Sequence, residues 1–489
     1  MPIPVTAPAS HLKQQQFDKA TIYSQGNGKI TEVEADQDQI VAAKVEGFPD
    51  FGHNMKKYWP ESNYVNLNHA SLGFTPVCVI EAKMKMLWQM NARPDPWDRR
   101  HTEPMLDAVR EEVGPLLGTV GDNVLIMKNT RQAINTIVYN LKYEPGDIIV
   151  MYSTTFSSVS QIMKCVCDRN EGVRVEIINV TFPCYHSEIV EATEAVLRKY
   201  NKPTGVTRGG DKPTVSHGLV DKERVRLVVV DGISCTPGVT SPWEDITRLC
   251  HKYGALSLVD GAHIIGQQIV DVKKTDPDFF VSNMHKWLYA HISSSITYIA
   301  PRNQILIRTT FPTGNYYESE KYPRPGRPWL FAEQFNFYGT IDVSSYLTIP
   351  VALKFRRDIG GEERIIAYNH SIALVGGKRL AKRWSTSIME NERGQLTACM
   401  VNVELPIAVP SDPKEQMTME LWMEDMLMEA EIFAPMYVHN GKWYTRISGQ
   451  VWVELSDFDL LGDAYDKLAE AVLRGEHLHN RPPLKVLDY

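Results

Sequence analysis

Two side chains set the chemistry that this sequence can support. An apolar run, Ala255-Leu-Ser-Leu-Val-Asp260, ends in Asp260-Gly261-Ala262-His263. A second, Phe279-Phe-Val-Ser-Asn283, leads into Met284-His285-Lys286-Trp287. An aspartate at the C-terminal end of a parallel strand faces the crevice where open α/β sheets bind ligands. A lysine that arrives one crossover later stands close to it. A carboxylate can keep a pyridine nitrogen protonated, and an amine can close a Schiff base on an aldehyde. Pyridoxal 5′-phosphate (PLP) needs both. The pair therefore predicts that cofactor, with Asp260 at its ring nitrogen and Lys286 as the catalytic Schiff-base lysine.

Other segments supply further groups. The apolar stretch Val124–Met127 is followed by Asn129-Thr130-Arg131-Gln132 and a helical pattern to Leu141. Backbone N–H groups at a helix N-terminus, with a Thr hydroxyl, form a seat for phosphate. Asn-Thr before a helix is also an ordinary N-cap, so the seat stands only in register with Lys286. Phe156, in Thr154-Thr-Phe-Ser-Ser158, follows the next strand and by itself reads as a core phenylalanine. Arg446, in Tyr444-Thr-Arg-Ile-Ser448, by itself reads as a surface strand residue, although a guanidinium is the group able to grip a carboxylate with two parallel hydrogen bonds. No metal site is expected: Cys165-Val-Cys167 has neither zinc nor redox spacing. No G-x-G-x-x-G follows the first strand, so a dinucleotide enzyme fits poorly.

These residues need a scaffold, and the chain is long enough to build one. It has 489 residues, 43% hydrophobic and 23% charged, which suits a globular protein of more than one domain. A net charge of −7 argues against nucleic acid as partner. No apolar run spans a bilayer, the N-terminus has no secretory pattern, and the seven cysteines are scattered. A cytoplasmic protein with reduced thiols is expected. Strand and helix patterns alternate from Asn123 to Asp260, as in repeated βα units with a mainly parallel sheet covered by helices. The strands are 123–127, 147–151, 173–180, 225–231 and 255–260. The helices are 77–90, 106–117, 132–141, 188–199 and 243–253. Residues 200–224 read as a surface insertion. The expected organisation is a flexible arm over 1–45, order starting near Tyr58, a large cofactor-binding domain over 46–345 and a small α+β domain over 346–489. A long helix starting near Ser344 joins the two, and Val401–Leu405 and Val451–Leu455 are strands of the small domain.

The motifs together resemble the class V aminotransferase family of fold-type-I PLP enzymes, in its isopenicillin N epimerase-like branch. Leu67–Gly73, Asn91–Pro96, Asp276–Phe280, Asn283–Leu288, Gly360–Arg364 and Ser456–Phe458 look most like fungal hercynylcysteine sulfoxide lyases and the LolT proteins of loline biosynthesis. The resemblance implies an α/β large domain and a smaller C-terminal domain. It implies His263 at the phenolic oxygen of the cofactor, His285 at its phosphate beside Asn129, Thr130, Arg131 and Gln132, and Phe156 on its ring. Asn68, His69 and Ser71 would line the substrate side, with Arg446 on the α-carboxylate of a small-molecule amino-acid substrate. Thr340, after Gly339, would reach the phosphate of a second subunit, giving a homodimer with shared active sites.

The departures from that pattern bear on the reaction. The Thr hydroxyl near the phosphate has moved by one position, to Thr130. Val159 stands where the sulfoxide lyases carry a cysteine, and no cysteine lies on a loop suited to a desulfurase. His291-Ile-Ser293 and Gly314-Asn315 also differ. The expected core step is a Cα carbanion, held as a quinonoid. With the lyase cysteine absent and Phe156 aprotic, Lys286 is the acid/base, and capture of the carbanion in an intramolecular Mannich-type ring closure, as in alkaloid formation, is the leading expectation. The alternatives are a carbon–sulfur β-lyase and an amino-acid epimerase. A non-catalytic binding subunit is a further one, which the joint presence of Asp260, His285, Lys286 and Arg446 disfavours.

Overall fold

The structure is a computed structural model. It describes residues 40–205, 223–313, 317, 319, 321–322, 331–336 and 338–479. Residues 1–39 of the expected arm, 206–222 of the expected insertion and Gly314-Asn315 lie outside the described residues. In chain order the strands are β1 (Val65–Asn66), β2 (Val124–Met127), β3 (Asp147–Tyr152), β4 (Arg174–Ile178), β5 (Arg224–Asp231), β6 (Leu256–Asp260), β7 (Phe279–Asn283), β8 (Ser295–Ile299), β9 (Met400–Glu404), β10 (Ile432–Phe433), β11 (Met436–His439) and β12 (Lys442–Ser448).

Seven strands form one sheet in the order β2-β8-β7-β6-β5-β3-β4. β8 is antiparallel to both neighbours, and all other pairs are parallel. Such a sheet must be covered on both faces, which is why β5 carries the apolar run Leu227-Val-Val-Val230, all of it buried. Successive residues feed opposite cores. Val225, Val228, Val230, Val259 and Phe280 pack on one face, and Leu227, Val229, Leu258, Phe279 and Val281 on the other. Helices Thr130–Asn140, Ser157–Arg169, His186–Tyr200 and Trp243–Tyr253 follow the strands. This winding brings the C-terminal ends of β2, β3, β5, β6 and β7 to one edge, and the residues expected to hold the cofactor stand there.

A second, antiparallel sheet, β11-β12-β9, packs against helices Gly361–Trp384 and Leu455–Leu473. Met55, Trp59 and Leu67 from the N-terminal side complete that core with Trp443, Phe458 and Tyr465. Among the described residues no helix is long and apolar enough to cross a membrane.

Three local expectations need correction. Order begins before Tyr58: the Arg364 guanidinium donates to the carbonyls of Ala42, Ala43 and Pro49, so residues 40–45 are tied down where an arm was expected. The long helix from Ser344 is two helices, Ile349–Asp358 and Gly361–Trp384, because Gly360 and Gly361 take φ of 116° and 83°. Val451–Leu455 is not a strand. Val453 N–H closes a turn on Gln450 O at 2.8 Å, and the next helix starts at Leu455. Helix Pro413–Glu429 was not anticipated: methionines on several sides blur its apolar stripe.

Candidate active site

The backbone around Lys286 is clamped from three directions. Met284 N–H donates to Ser294 O at 3.0 Å, closing the loop from β7 to β8. His69 Nε2 lies 2.7 Å from Lys286 O, and a carbonyl can only accept, so this nitrogen donates. Arg356, fully buried, donates from Nη1 to Trp287 O at 2.7 Å and from its other two nitrogens to Glu362 at 2.5 and 2.6 Å. Gly73 allows the closest approach. A Cβ there would stand 1.8 Å from His285 O, and its φ is +79°.

The Lys286 side chain ends 3.0 Å from His263 Nε2, while His263 Nδ1 accepts from the Trp287 indole N–H at 3.3 Å. Burial lowers the Lys286 pKa to about 8; the nearby Cys235, Asp260 and Asp231 oppose that fall, and Arg446 adds to it. Burial also pushes His263 well below the ordinary histidine range. Asp260 Oδ1 accepts from Ala262 N–H at 3.0 Å, yet burial still raises its pKa. A buried carboxylate so short of donors suits a protonated pyridine nitrogen. In register beside it stands Asp231, raised further by burial and by the charge of Asp260, and held by a hydrogen bond from the Phe156 backbone.

Toward the expected phosphate end, Thr130 N–H donates to Asn283 Oδ1 at 3.2 Å and Thr130 Oγ1 accepts from Asn283 Nδ2 at 3.4 Å. This ties the start of helix Thr130–Asn140 to the end of β7, two residues before His285. His285 Nδ1 lies 2.8 Å from Ser294 O and donates to it, and burial lowers its pKa to about 4, so the ring is neutral. Asn129 caps the helix through Gln132 N–H, and Gln132 Oε1 accepts from Lys128 N–H. Both side chains are thus engaged in ordering the turn. Arg131 and Thr340 are exposed.

At the other end, Arg446 settles one ambiguity: it is 1% exposed, so it is no surface residue. Nη1 donates to Cys235 O at 2.7 Å and lies 3.2 Å from Cys235 Sγ. Nη2 donates to Asn68 Oδ1 at 2.7 Å and Ser71 Oγ at 3.1 Å. Among the described residues its buried Nε has no partner. Phe156 is 37% exposed at the head of its helix, which overturns the core alternative and leaves a ring face available.

His69 departs from expectation. It is fully buried, packs edge-on against Trp287, Tyr289 and Trp452, and props Lys286 where a substrate contact was expected. Burial lowers its pKa to about 3, so it carries no charge. Three residues went unanticipated. Asp231 ends a mainly apolar strand just as Asp260 does, and that parallel was its signal. Arg356 becomes visible only through its partners. Cys235 matters most. The position matching the lyase cysteine, Val159, is 2% exposed and packed in the core, but Cys235 brings a thiol into the site from another loop.

The arrangement has known counterparts. Residues 213–417 match the aminotransferase class-V family. The chain is 27% identical over 466 residues to the L-cysteine desulfhydrase-like protein lolT1 of Epichloe uncinata, covering 87% of this chain and 97% of that one. It is 28% identical over 413 residues to the hercynylcysteine sulfoxide lyase of Schizosaccharomyces pombe, covering 83% and 95%. Its fold matches the apo cysteine desulfurase of Thermococcus onnurineus with a TM-score of 0.68 at 16% identity, over 86% of this chain and 98% of that one. The strand-end aspartate, the clamped lysine and these similarities agree: over residues 213–417 the chain matches the aminotransferase class-V family model, and it is a pyridoxal 5′-phosphate-dependent enzyme.

Proposed function

We propose that this enzyme is a carbon–sulfur β-lyase acting on a cysteine-derived amino acid. One observation carries the reading: a thiol, Cys235, sits on the Arg446 guanidinium in the same site as Lys286. The expectation of ring closure leans on the lack of the lyase cysteine at Val159, and Cys235 supplies a thiol from another loop. The names of the two relatives, a desulfhydrase-like protein and a sulfoxide lyase, support the same chemistry.

Asp260 would hold the cofactor's ring nitrogen, Lys286 its aldehyde carbon, Phe156 its face, and His285 with the Thr130 turn its phosphate. Bound PLP supplies the electron sink that lets a proton leave Cα. Arg446 takes the substrate carboxylate, which replaces the contacts from Ser71 Oγ and Cys235 Sγ. Lys286 Nζ accepts the Cα proton. The Cβ–S bond breaks, the sulfur leaves with its electron pair, and Cys235 S–H gives it a proton. The protonated Lys286 restores the thiol. Water then converts the released aminoacrylate to pyruvate and ammonia. His69 and Arg356 hold the lysine loop still throughout. Exposed Thr340 is the residue by which a second copy would complete the phosphate seat, in a homodimer. All seven cysteines are free, which supports a cytoplasmic setting.

The test is to incubate the PLP-loaded enzyme with S-methylcysteine sulfoxide and assay products. Pyruvate and ammonia in equal amounts are expected. Neither product, with solvent deuterium entering Cα of recovered substrate, would sink the lyase reading. A second reading, Mannich-type ring closure of alkaloid type, draws on Phe156 and the buried Val159, neither of which can give a proton to a leaving group. An amine substrate carrying an internal iminium would then return a cyclic product.

A further inference from the structure

His263 makes two contacts at once, and together they constrain where protons sit. The Trp287 indole N–H can only donate, so His263 Nδ1 must be bare to accept it at 3.3 Å. A neutral imidazole then carries its hydrogen on Nε2. That nitrogen lies 3.0 Å from Lys286 Nζ. If Lys286 were an ammonium, both groups would be donors and the contact could not be a hydrogen bond. It closes only when Nζ is a free amine and accepts. The opposite polarity, Lys286 donating to Nε2, would require an imidazole with no hydrogen.

We propose that Trp287 is a positioning residue that locks His263 in the Nε2–H tautomer, making it a fixed donor that favours the free-base form of Lys286. The consequence rests on the reading of Lys286 as the proton-moving amine. His263 cannot share that work, because its one hydrogen is directed at the reacting end of the site and its other nitrogen is blocked by the indole. The surroundings hold the ring neutral: burial and the Arg446 charge disfavour the imidazolium, and Lys286, His285 or His69 would add to this on taking up a proton. The groups facing Lys286 are Cys235, Arg446, Asp260 and Asp231; the negative ones favour the ammonium, so the donor from His263 works against them. Trp287 is itself fully buried and its carbonyl is pinned by Arg356, so the indole has no alternative seat. Gln267 fixes the other side, donating from Nε2 to His263 O at 2.7 Å.

The full-length enzyme labelled with ¹⁵N-histidine tests this without reference to turnover. The His263 signals are assigned by their loss in His263→Gln. In wild type, with and without PLP, Nδ1 should give the shift of an unprotonated nitrogen and Nε2 that of a protonated one at pH 7.5. A protonated Nδ1 overturns the proposal, whatever substrate the enzyme later accepts. A second measurement is competitive acetylation of the cofactor-free enzyme against pH, read by mass spectrometry on the Lys286 peptide. Trp287→Phe frees Nδ1 to take the hydrogen and lets Nε2 accept from an ammonium. The Lys286 midpoint should then rise by about half to one pH unit. An unchanged midpoint in a folded Trp287→Phe overturns it; if that variant does not fold, the wild-type spectrum decides alone.

Discussion

Cys235 Sγ lies 3.2 Å from Arg446 Nη1, so the loop after β5 and strand β12 meet at one guanidinium. A carboxylate that docks on Arg446 displaces the sulfur and leaves the thiol beside the substrate. Cys235→Ala is expected to lower kcat on an S-substituted cysteine by about tenfold or more, with KM changed less than about threefold. Cys235→Ser should fare no better, since a hydroxyl is a far weaker acid. Steady-state kinetics decide, and an unchanged kcat removes the thiol from the reaction.

Arg446 holds four acceptors with a planar fork that an ammonium cannot reproduce. Arg446→Lys should reduce kcat/KM by about a hundredfold, mostly through KM. The same variant should lose its preference for amino acids over the matching decarboxylated amines. Equal losses on both substrates would mean that Arg446 serves only to join Asn68, Ser71 and Cys235.

Burial costs the Lys286 ammonium. Its folded pKa, about 8, lies below the unfolded value of 10.5. Between those values the unfolded chain binds more protons, so stability of the cofactor-free enzyme rises with pH there, and the full penalty applies below about 8. Cofactor-free Lys286→Met should therefore be more stable than wild type at pH 7, and the gap should narrow by pH 9.5. Urea titrations at the two pH values measure this; a constant gap contradicts it.

Gly73 lets one turn of chain lie against the Lys286 loop. Gly73→Ala places a Cβ 1.8 Å from His285 O in a left-handed conformation, φ +79°. The expected cost is more than about 2 kcal/mol of stability, with weakened PLP retention because the lysine loop must move. Thermal unfolding and PLP content after dialysis report the two effects. A variant with wild-type Tm and full PLP would show that the loop yields.

The sequence made the sheet and the cofactor end of the site legible because both follow local rules. β5 and β6 are mainly apolar runs that end in Asp231 and Asp260, and an aspartate there has one crevice to face. The substrate end was harder. Asn68 and Ser71 sit three residues apart and share the helical face toward Arg446, while His69, between them, turns the other way, to the Lys286 carbonyl. Adjacency in sequence suggested a common role that the helical turn divides. Cys235 follows β5 without a motif to mark it, and only the arrival of β12 from the second sheet gives it a partner. Val451–Leu455 read as a strand by its β-branched residues, but Gln450 turns the chain and all of Val451, Trp452 and Val453 are buried.

The assignment of Lys286 underlies all the rest, and one measurement tests it directly. The PLP-loaded enzyme is reduced with borohydride, digested, and mapped by mass spectrometry. A pyridoxyl adduct is expected on the peptide Asn283-Met-His-Lys286-Trp-Leu288, at Lys286, with near-unit stoichiometry. An adduct on another lysine, or none on a yellow enzyme, would contradict the account.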